Sequence, residues 1–160
     1  MATAHDVADY FLSIAAADND GDNDDDAGEG LTHLKLQKLL YYAQGFHLAL
    51  FGKQLFPEAI EAWKHGPVVS AVWDSFKQHG SASIPASAGV NLAGLLPEQR
   101  DLLNDVWNAY GQFSAWKLRN MTHEEAPWKN AYQSNRNGLI TETALKSYFQ
   151  TQVVDSEESP

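Results

Sequence analysis

The feature that most constrains the fold is a segment from Thr32 to Phe51 that is apolar around most of a helix circumference. Its apolar side chains recur at helical spacing and form one broad face, made of Leu36, Leu39, Leu40, Tyr41, Tyr42, Ala43, Phe46, Leu48, Leu50 and Phe51. A helix with so little polar surface is stable in water only when other elements cover it. The segment therefore predicts the central helix of a mainly α, compact single domain. The polar side of this helix is predicted to consist of Lys35, Gln37, Lys38 and Gln44.

The composition excludes several classes of protein. The chain has 160 residues, which is enough for one domain with a substantial hydrophobic core. It contains no cysteine, which excludes disulfide scaffolds, cysteine-ligated zinc sites, iron–sulfur clusters and thiol nucleophiles. It has no run of about 18 apolar residues that could span a membrane, and it does not begin with a signal peptide. We therefore expect a cytoplasmic protein that does not interact with a membrane.

Acidic residues are concentrated in two segments and account for the net charge of −10. Residues 18–29 contain seven acids and no base, and residues 155–158 contain three more acids. Because the rest of the chain is neutral, it lacks the basic surface that nucleic-acid binding requires, and we expect no direct nucleic-acid partner. Residues 18–30 are predicted to form an exposed acidic loop, and residues 153–160 a disordered acidic tail.

The acidic loop also has the spacing of a calcium-binding EF-hand loop, and this alternative stays open. Its acids occupy positions 1, 3, 5, 7, 9 and 12 of such a loop, at Asp18, Asp20, Asp22, Asp24, Asp26 and Glu29. However, Asn23 and Asp25 stand where that motif has a glycine and an aliphatic residue. The favoured interpretation is a solvated loop without a specific metal site.

About six helices and one short extended element are expected along the chain. The first helix begins after the cap Thr3, with Asp6 as its capping partner, and ends near Ala17. Residues 53–65 alternate between polar and apolar side chains more than they follow a helical period. This range therefore predicts a short β-hairpin or an extended arm.

Breaks and caps mark the remaining helices. Gly66 and Pro67 form a break, with Pro67 predicted as the first residue of a third helix. Thr122 and Glu125 have the spacing of a capping box, so Thr122 is predicted to cap the helix that follows. Thr32, Ser114 and Thr141 are predicted to cap other helices, and Pro97 is a further predicted helix start.

None of the familiar catalytic motifs is present. The histidines show no metal-binding spacing, and the chain lacks a nucleophile elbow, a P-loop and a dinucleotide-binding motif. We therefore predict a protein that is not an enzyme and has no metal site and no cofactor. One alternative stays open, in which His123 and either Glu124 or Glu125 provide acid–base chemistry for a hydrolase or nucleotide-modifying enzyme. The favoured interpretation is that these residues belong to a capped helix start.

Three segments carry a resemblance to a known family. They are LKLQKLLYYAQGFH at residues 34–47, AWKHGPV at residues 62–68, and LRNMTHEEAPW at residues 118–128. Together they resemble the Panacea domain, the family of SocA-like antitoxins that also includes phage-associated GepA-type proteins. Leu139 to Thr141, with Tyr148 and Phe149, resembles the last helix of this family. The resemblance implies a Panacea domain over residues 1–152, with the acidic loop as an insertion.

The resemblance also implies a function. Members of the family commonly act as antitoxins that are encoded beside a toxin gene and neutralise the toxin by binding it directly. An alternative role is that of a proteolytic adaptor, which delivers its bound partner to a ClpXP-type protease. A further alternative is a phage-associated accessory protein. The expected partners are thus a toxin encoded nearby and, in the adaptor role, the protease.

The matched positions divide into two sets by the role that physical chemistry favours. The candidates for exposed contacts with a toxin are Lys35, Gln37, Lys38, Tyr42 and His123. The candidates for scaffold residues are Tyr41, Trp63, Gly66, Pro67, Thr122, Pro127 and Trp128. Both tryptophans lie beside breaks in the chain, which favours packing over the alternative that they anchor a partner.

Overall fold

The central helix and its neighbours are seen in a computed structural model, which describes residues 1–20, 31–80, 82–85 and 94–153. The helices are α1 Ala4–Asp20, α2 His33–Phe51, α3 Ser70–Phe76, α4 Pro97–Tyr110, α5 Ala115–His123, α6 Ala126–Ser134 and α7 Glu142–Gln150. The strands are β1 Ile60–Trp63, β2 Gly66–Val68 and β3 Leu139–Ile140. The predicted mainly α fold is confirmed, with seven α-helices rather than six in the described part of the chain.

Helix α2 lies at the centre and packs against α1, α3, α4, α5 and α7. Leu36, Leu39 and Leu40 are fully buried, as the apolar periodicity predicts. Helix α7 packs tightly on α2 at Gly45, which leaves room for the ring of Phe149. A Cβ at Gly45 would lie only 2.2 Å from that ring. Among the described residues, no helix combines the length and hydrophobicity needed to cross a membrane.

The three strands form an antiparallel sheet with the order β2-β1-β3, and the edge strand β2 packs against α2. The predicted hairpin is confirmed at residues 60–68, while residues 53–59 form no strand. The prediction that Pro67 begins a helix is wrong. Pro67 lies in β2, opposite Ala62, and α3 begins at Ser70. Proline is compatible with this position because β2 is an edge strand.

Several helix starts follow the predicted caps. The Thr3 hydroxyl accepts a hydrogen bond from the Asp6 backbone, and the Thr3 backbone donates to the Asp6 carboxylate. Thr32, Ser114 and Thr141 each accept a hydrogen bond from the backbone three residues later, which satisfies an N–H group that a helix start leaves unpaired.

The predicted end of the first helix near Ala17 is wrong, since α1 continues to Asp20. Asp18 accepts a hydrogen bond from the Trp107 indole on α4, which holds the last turn of α1 against that helix. Residues 18–20 therefore belong to α1 rather than to the predicted acidic loop. The rest of that loop, its EF-hand alternative and residues 154–160 of the predicted tail lie outside the described residues.

The prediction that Thr122 caps a helix is also wrong. Thr122 lies in the last turn of α5, where its hydroxyl donates a hydrogen bond to the Arg119 carbonyl at 2.8 Å. Helix α6 begins instead at Ala126, with Glu125 in the N-cap position and Pro127 in the first turn. The threonine hydroxyl thus bonds within its own helix and does not start the next one.

Candidate functional site

The segments that carry the family resemblance meet where α2 faces the β1–β2 hairpin and the end of α5. A Cβ built at Gly66 would lie 2.5 Å from Lys38 Cε and 3.0 Å from Thr122 Oγ1. The hairpin backbone therefore packs directly on one side chain from each helix. We call the group Lys38, Gly66, Pro67, Thr122 and His123 the hairpin junction.

Lys38 lies inside the hairpin junction, and the prediction that it is exposed is wrong. Its side chain is fully buried, and Nζ donates a long hydrogen bond of 3.5 Å to the Pro67 carbonyl. Burial lowers the pKa of Lys38 to about 7, and the nearby Arg119 cation lowers it in the same direction. The long side chain of Lys38 therefore fills space under the hairpin instead of reaching solvent.

Gln37 is likewise buried, contrary to the prediction, and it holds the backbone that precedes α3. Its Oε1 accepts a hydrogen bond of 2.8 Å from the Val69 backbone N–H. Its Nε2 donates to the Val69 carbonyl at 3.5 Å and to His33 Nε2 at 2.9 Å. Burial lowers the pKa of His33 to about 4, so the neutral ring is available as an acceptor. Gln37 thus provides the hydrogen bonds that water would otherwise make with the backbone groups of Val69.

Other polar residues of α2 act in the same way on a different loop. Gln44 accepts a hydrogen bond from the Leu55 backbone and donates one to the Phe56 carbonyl, both at 2.7 Å. His47 Nδ1 lies 2.7 Å from the Lys53 carbonyl. The predicted polar side of α2 is therefore largely interior. Its polar groups are buried because they form hydrogen bonds with loop backbones. We call the α2 side chains that make these bonds the loop anchors, and helical periodicity alone does not predict them.

Tyr42 is buried next to Tyr41, and the prediction that Tyr42 is exposed is wrong. The two phenols donate to opposite oxygens of Glu125, Tyr41 to Oε1 at 2.9 Å and Tyr42 to Oε2 at 2.8 Å. The Tyr42 ring stacks on Tyr110 with 4.0 Å between centroids. Burial raises the pKa of Glu125 to about 7, although both hydrogen bonds act in the opposite direction. The sequence predicts Glu125 as a capping-box or acid–base residue, and its pairing with two tyrosines was missed.

His123 stacks on Trp128, and one of its two acid–base partners in the enzyme alternative, Glu125, is bound to other residues. The two rings are 3.9 Å apart and nearly parallel, and Trp128 Nε1 donates to the Trp63 carbonyl at 2.7 Å. Burial, followed by the Arg119 cation, lowers the pKa of His123. The carboxylate of Glu125 is occupied by the two tyrosines instead. Trp128 is buried in the hydrophobic core, as a packing role requires.

Lys35 is half-buried and contacts the end of α4. Its Nζ donates to the Gly111 carbonyl and lies 5.5 Å from the centroid of the Trp107 ring. This cation–π contact and hydrogen bond connect α2 to α4. Across the described ranges, no group of three or more His, Asp or Glu side chains has the arrangement of a metal site.

The buried Glu125 carboxyl gives a pH-dependent prediction. Its pKa is raised from 4.5 to about 7 in the folded protein, so the folded state keeps a proton that the unfolded state loses. Stability from this group is present below pH 4.5 and is lost as the pH rises to about 7. Relative to Glu125→Gln, the wild type should therefore lose up to about 1.4 kcal/mol of unfolding free energy per pH unit in this interval. Urea denaturation from pH 5 to pH 8 measures the difference.

The matched control is Glu124→Gln, which changes the exposed neighbour on the same turn. We expect the difference between wild type and this control to stay nearly constant with pH. A constant difference for Glu125→Gln as well would mean that the Glu125 carboxyl is ionised in the folded protein throughout this range.

Comparison with known proteins identifies the family. The family model for the antitoxin SocA-like Panacea domain matches residues 36–129, which is more than half of the chain. The chain belongs to the Panacea family. The matched range runs from α2 into α6 and includes the whole hairpin junction. The resemblance stated from the sequence is thus confirmed.

A curated member of the Panacea family is also similar to this chain. Antitoxin SocA of Caulobacter vibrioides (strain NA1000 / CB15N) is 32% identical over 109 residues, which cover 61% of this chain and 58% of that protein. The chain thus spans less than two thirds of the length of this relative. No solved structure matches the chain.

Proposed function

We propose that this Panacea protein is an antitoxin that neutralises a cognate toxin, encoded nearby, by binding it directly. The observation that carries the proposal is the family match over residues 36–129, and the similarity to Antitoxin SocA supports it. Binding requires a stable shape rather than a reactive group. The contacts made by the hairpin junction and by the loop anchors of α2 stabilise the shape of this domain.

We infer the candidates for toxin contact from the accessibility of the motif residues. Gln37, Lys38 and Tyr42 are buried and make internal contacts, so a toxin that docks on this folded form does not reach them. Lys35 and His123 are partly accessible. We keep these two as candidate contacts and look for the main toxin-binding surface among exposed residues.

The test is co-expression with each neighbouring reading frame. Each frame is induced alone and together with this chain, and growth is measured. We expect one product to arrest growth alone, to be harmless in the pair, and to copurify with this chain in a fixed ratio. A version of this chain with an early stop codon is the control. The proposal fails if no neighbouring product is toxic, or if a toxic one is not neutralised.

The same cells separate direct masking from delivery to a protease. The half-life of the toxin is followed after translation is stopped, with and without this chain, in hosts that have or lack ClpX. Direct neutralisation leaves the toxin at least as long-lived in the complex as alone. A half-life that shortens only in the presence of both this chain and ClpX would replace masking with the adaptor role.

A further inference from the structure

An apolar groove outside the hairpin junction lies between α2, α4 and the residues that follow α7. Its volume is about 370 Å³. Its lining includes Phe46, Leu50, Leu102, Asp105, Val106 and Tyr110. We call it the α2–α4 groove. Its size is in the range of pockets that bind ligands or side chains of a partner.

Exposed apolar side chains extend the groove along the surface. Leu50 and Phe51, at the end of α2, are 51% and 42% exposed, and Leu96, next to the start of α4, is 52% exposed. Leu96 belongs to the same region. Its backbone N–H donates a hydrogen bond to the Gln99 side chain, which also lies 3.2 Å from Nε2 of His47. The His47 ring in turn contacts the ring of Phe51. Three of the six large apolar residues exposed in the described chain are thus near one groove. Such clustering is typical of an interaction site.

The rim of the groove along α4 is acidic. Glu98, Asp101 and Asp105 are exposed and follow each other at intervals of three and four residues, which places them on one side of the helix. Asp105 also lines the groove itself. The one basic residue of α4, Arg100, keeps its Nε buried. The groove therefore combines an apolar floor with a negative edge.

We propose that the α2–α4 groove binds a segment of the cognate toxin that presents large apolar side chains flanked by lysine or arginine. This inference rests on the proposed function and adds the surface and the chemistry of the partner. Apolar side chains would fill the groove, and the basic residues would pair with the acidic rim. The mode resembles an amphipathic helix or strand that docks in a hydrophobic groove.

Charge argues against two other occupants. A second copy of this chain brings a net charge of −10 and its own acidic rim to the same place. The seven residues after Val153 include three acids, Asp155, Glu157 and Glu158, and no base. Either occupant would place like charges together at the groove edge, which weakens association. A basic partner segment has the complementary charge.

The experiment uses the toxin identified by co-expression and two groove variants. Leu50→Glu places a charge on the apolar floor, and the double variant Asp101→Lys/Asp105→Lys reverses the rim. We expect Leu50→Glu to weaken toxin binding by about tenfold or more and to reduce growth rescue. We expect the rim variant to slow association strongly at about 50 mM salt and much less at about 500 mM salt, where charges are screened.

Matched controls are Leu139→Glu and Glu142→Lys, which change exposed residues of the same types at β3 and the start of α7. All variants are checked for an unchanged circular dichroism spectrum and thermal transition. The controls should bind and rescue like the wild type. If both groove variants also bind and rescue like the wild type, the groove assignment is overturned while the antitoxin function stands.

The remaining outcomes are also decisive. If the wild type neutralises no neighbouring product, the proposed function fails and the toxin assignment of the groove fails with it. The mass of the protein alone is measured by light scattering for the wild type and Leu50→Glu. A wild-type dimer that Leu50→Glu converts to a monomer would assign the groove to a second copy and would overturn the proposal.

Discussion

Replacing Lys38 with methionine is expected to raise the free energy of unfolding at neutral pH. Lys38 is fully buried, and among the described groups the causes of its lowered pKa are burial and the Arg119 cation rather than a carboxylate. Methionine has a similar length and can occupy the space under the hairpin without a charge. Removing a buried cation that lacks an opposite charge stabilises a protein, even at the cost of the long hydrogen bond to Pro67.

The sign of the pH dependence identifies the cause. The pKa of Lys38 is lowered from 10.5 to about 7 on folding, so between these values the unfolded state holds a proton that the folded state has lost. The wild type should therefore gain up to about 1.4 kcal/mol of stability per pH unit above pH 7 from this group. Lys38→Met lacks this gain, so its advantage over the wild type is largest near pH 7 or below and shrinks towards pH 9.

Urea denaturation at pH 6, 7, 8 and 9 tests this expectation. Lys64→Met on the exposed hairpin turn is the control, and its difference from the wild type should not change with pH in this way. A Lys38→Met variant that is less stable than the wild type at every pH would show that the ammonium group contributes more through hydrogen bonding than its burial costs.

Replacing Gly66 with alanine is expected to be strongly destabilising, for two separable reasons. Gly66 has φ of +115°, which residues with a side chain rarely adopt. The new Cβ would also lie 2.5 Å from Lys38 Cε, inside the buried hairpin junction. Backbone strain and overpacking each cost about 1–3 kcal/mol, so we expect a total loss of about 2–6 kcal/mol.

Gly52→Ala separates the two contributions. Gly52 ends α2 with φ of +75°, but a Cβ there meets no atom within 4 Å. Its substitution should therefore cost only about 1–2 kcal/mol, from the left-handed backbone alone. Thermal and urea denaturation of both variants give the comparison. Equal losses for Gly66→Ala and Gly52→Ala would show that the hairpin moves away from α2 easily and that the close packing there contributes little.

The sequence predicts the local signals of this fold well. Thr32, Ser114 and Thr141 cap helices as predicted because a cap depends on a few neighbouring backbone groups. The central position of α2 follows from its broad apolar face. Gly66 and Pro67 were misinterpreted because the same dipeptide fits a helix start and an edge strand. Only the pairing with β1 decides between them.

The candidate site could be predicted only in part. Motif residues from three separate segments meet at the hairpin junction, but the assignment of Gln37, Lys38 and Tyr42 to the surface was wrong. Helical periodicity treats polar residues as solvent-facing. It cannot predict that a glutamine binds the backbone of Val69 or that two tyrosines donate to one carboxylate. The partners in these contacts are distant in sequence. The α2–α4 groove was missed because its parts lie on separate segments.

The position of α7 has a consequence for synthesis on the ribosome. Helix α2 ends at Phe51, whereas α7 begins at Glu142 and supplies Phe149, which packs against Gly45. At about 5–20 residues per second, translation needs roughly 5–18 seconds to cover that interval. During this time the nascent chain lacks the helix that completes its centre and the residues that close the α2–α4 groove. The domain therefore acquires its final packing, and the groove its complete lining, only after α7 and the residues that follow it have been synthesised.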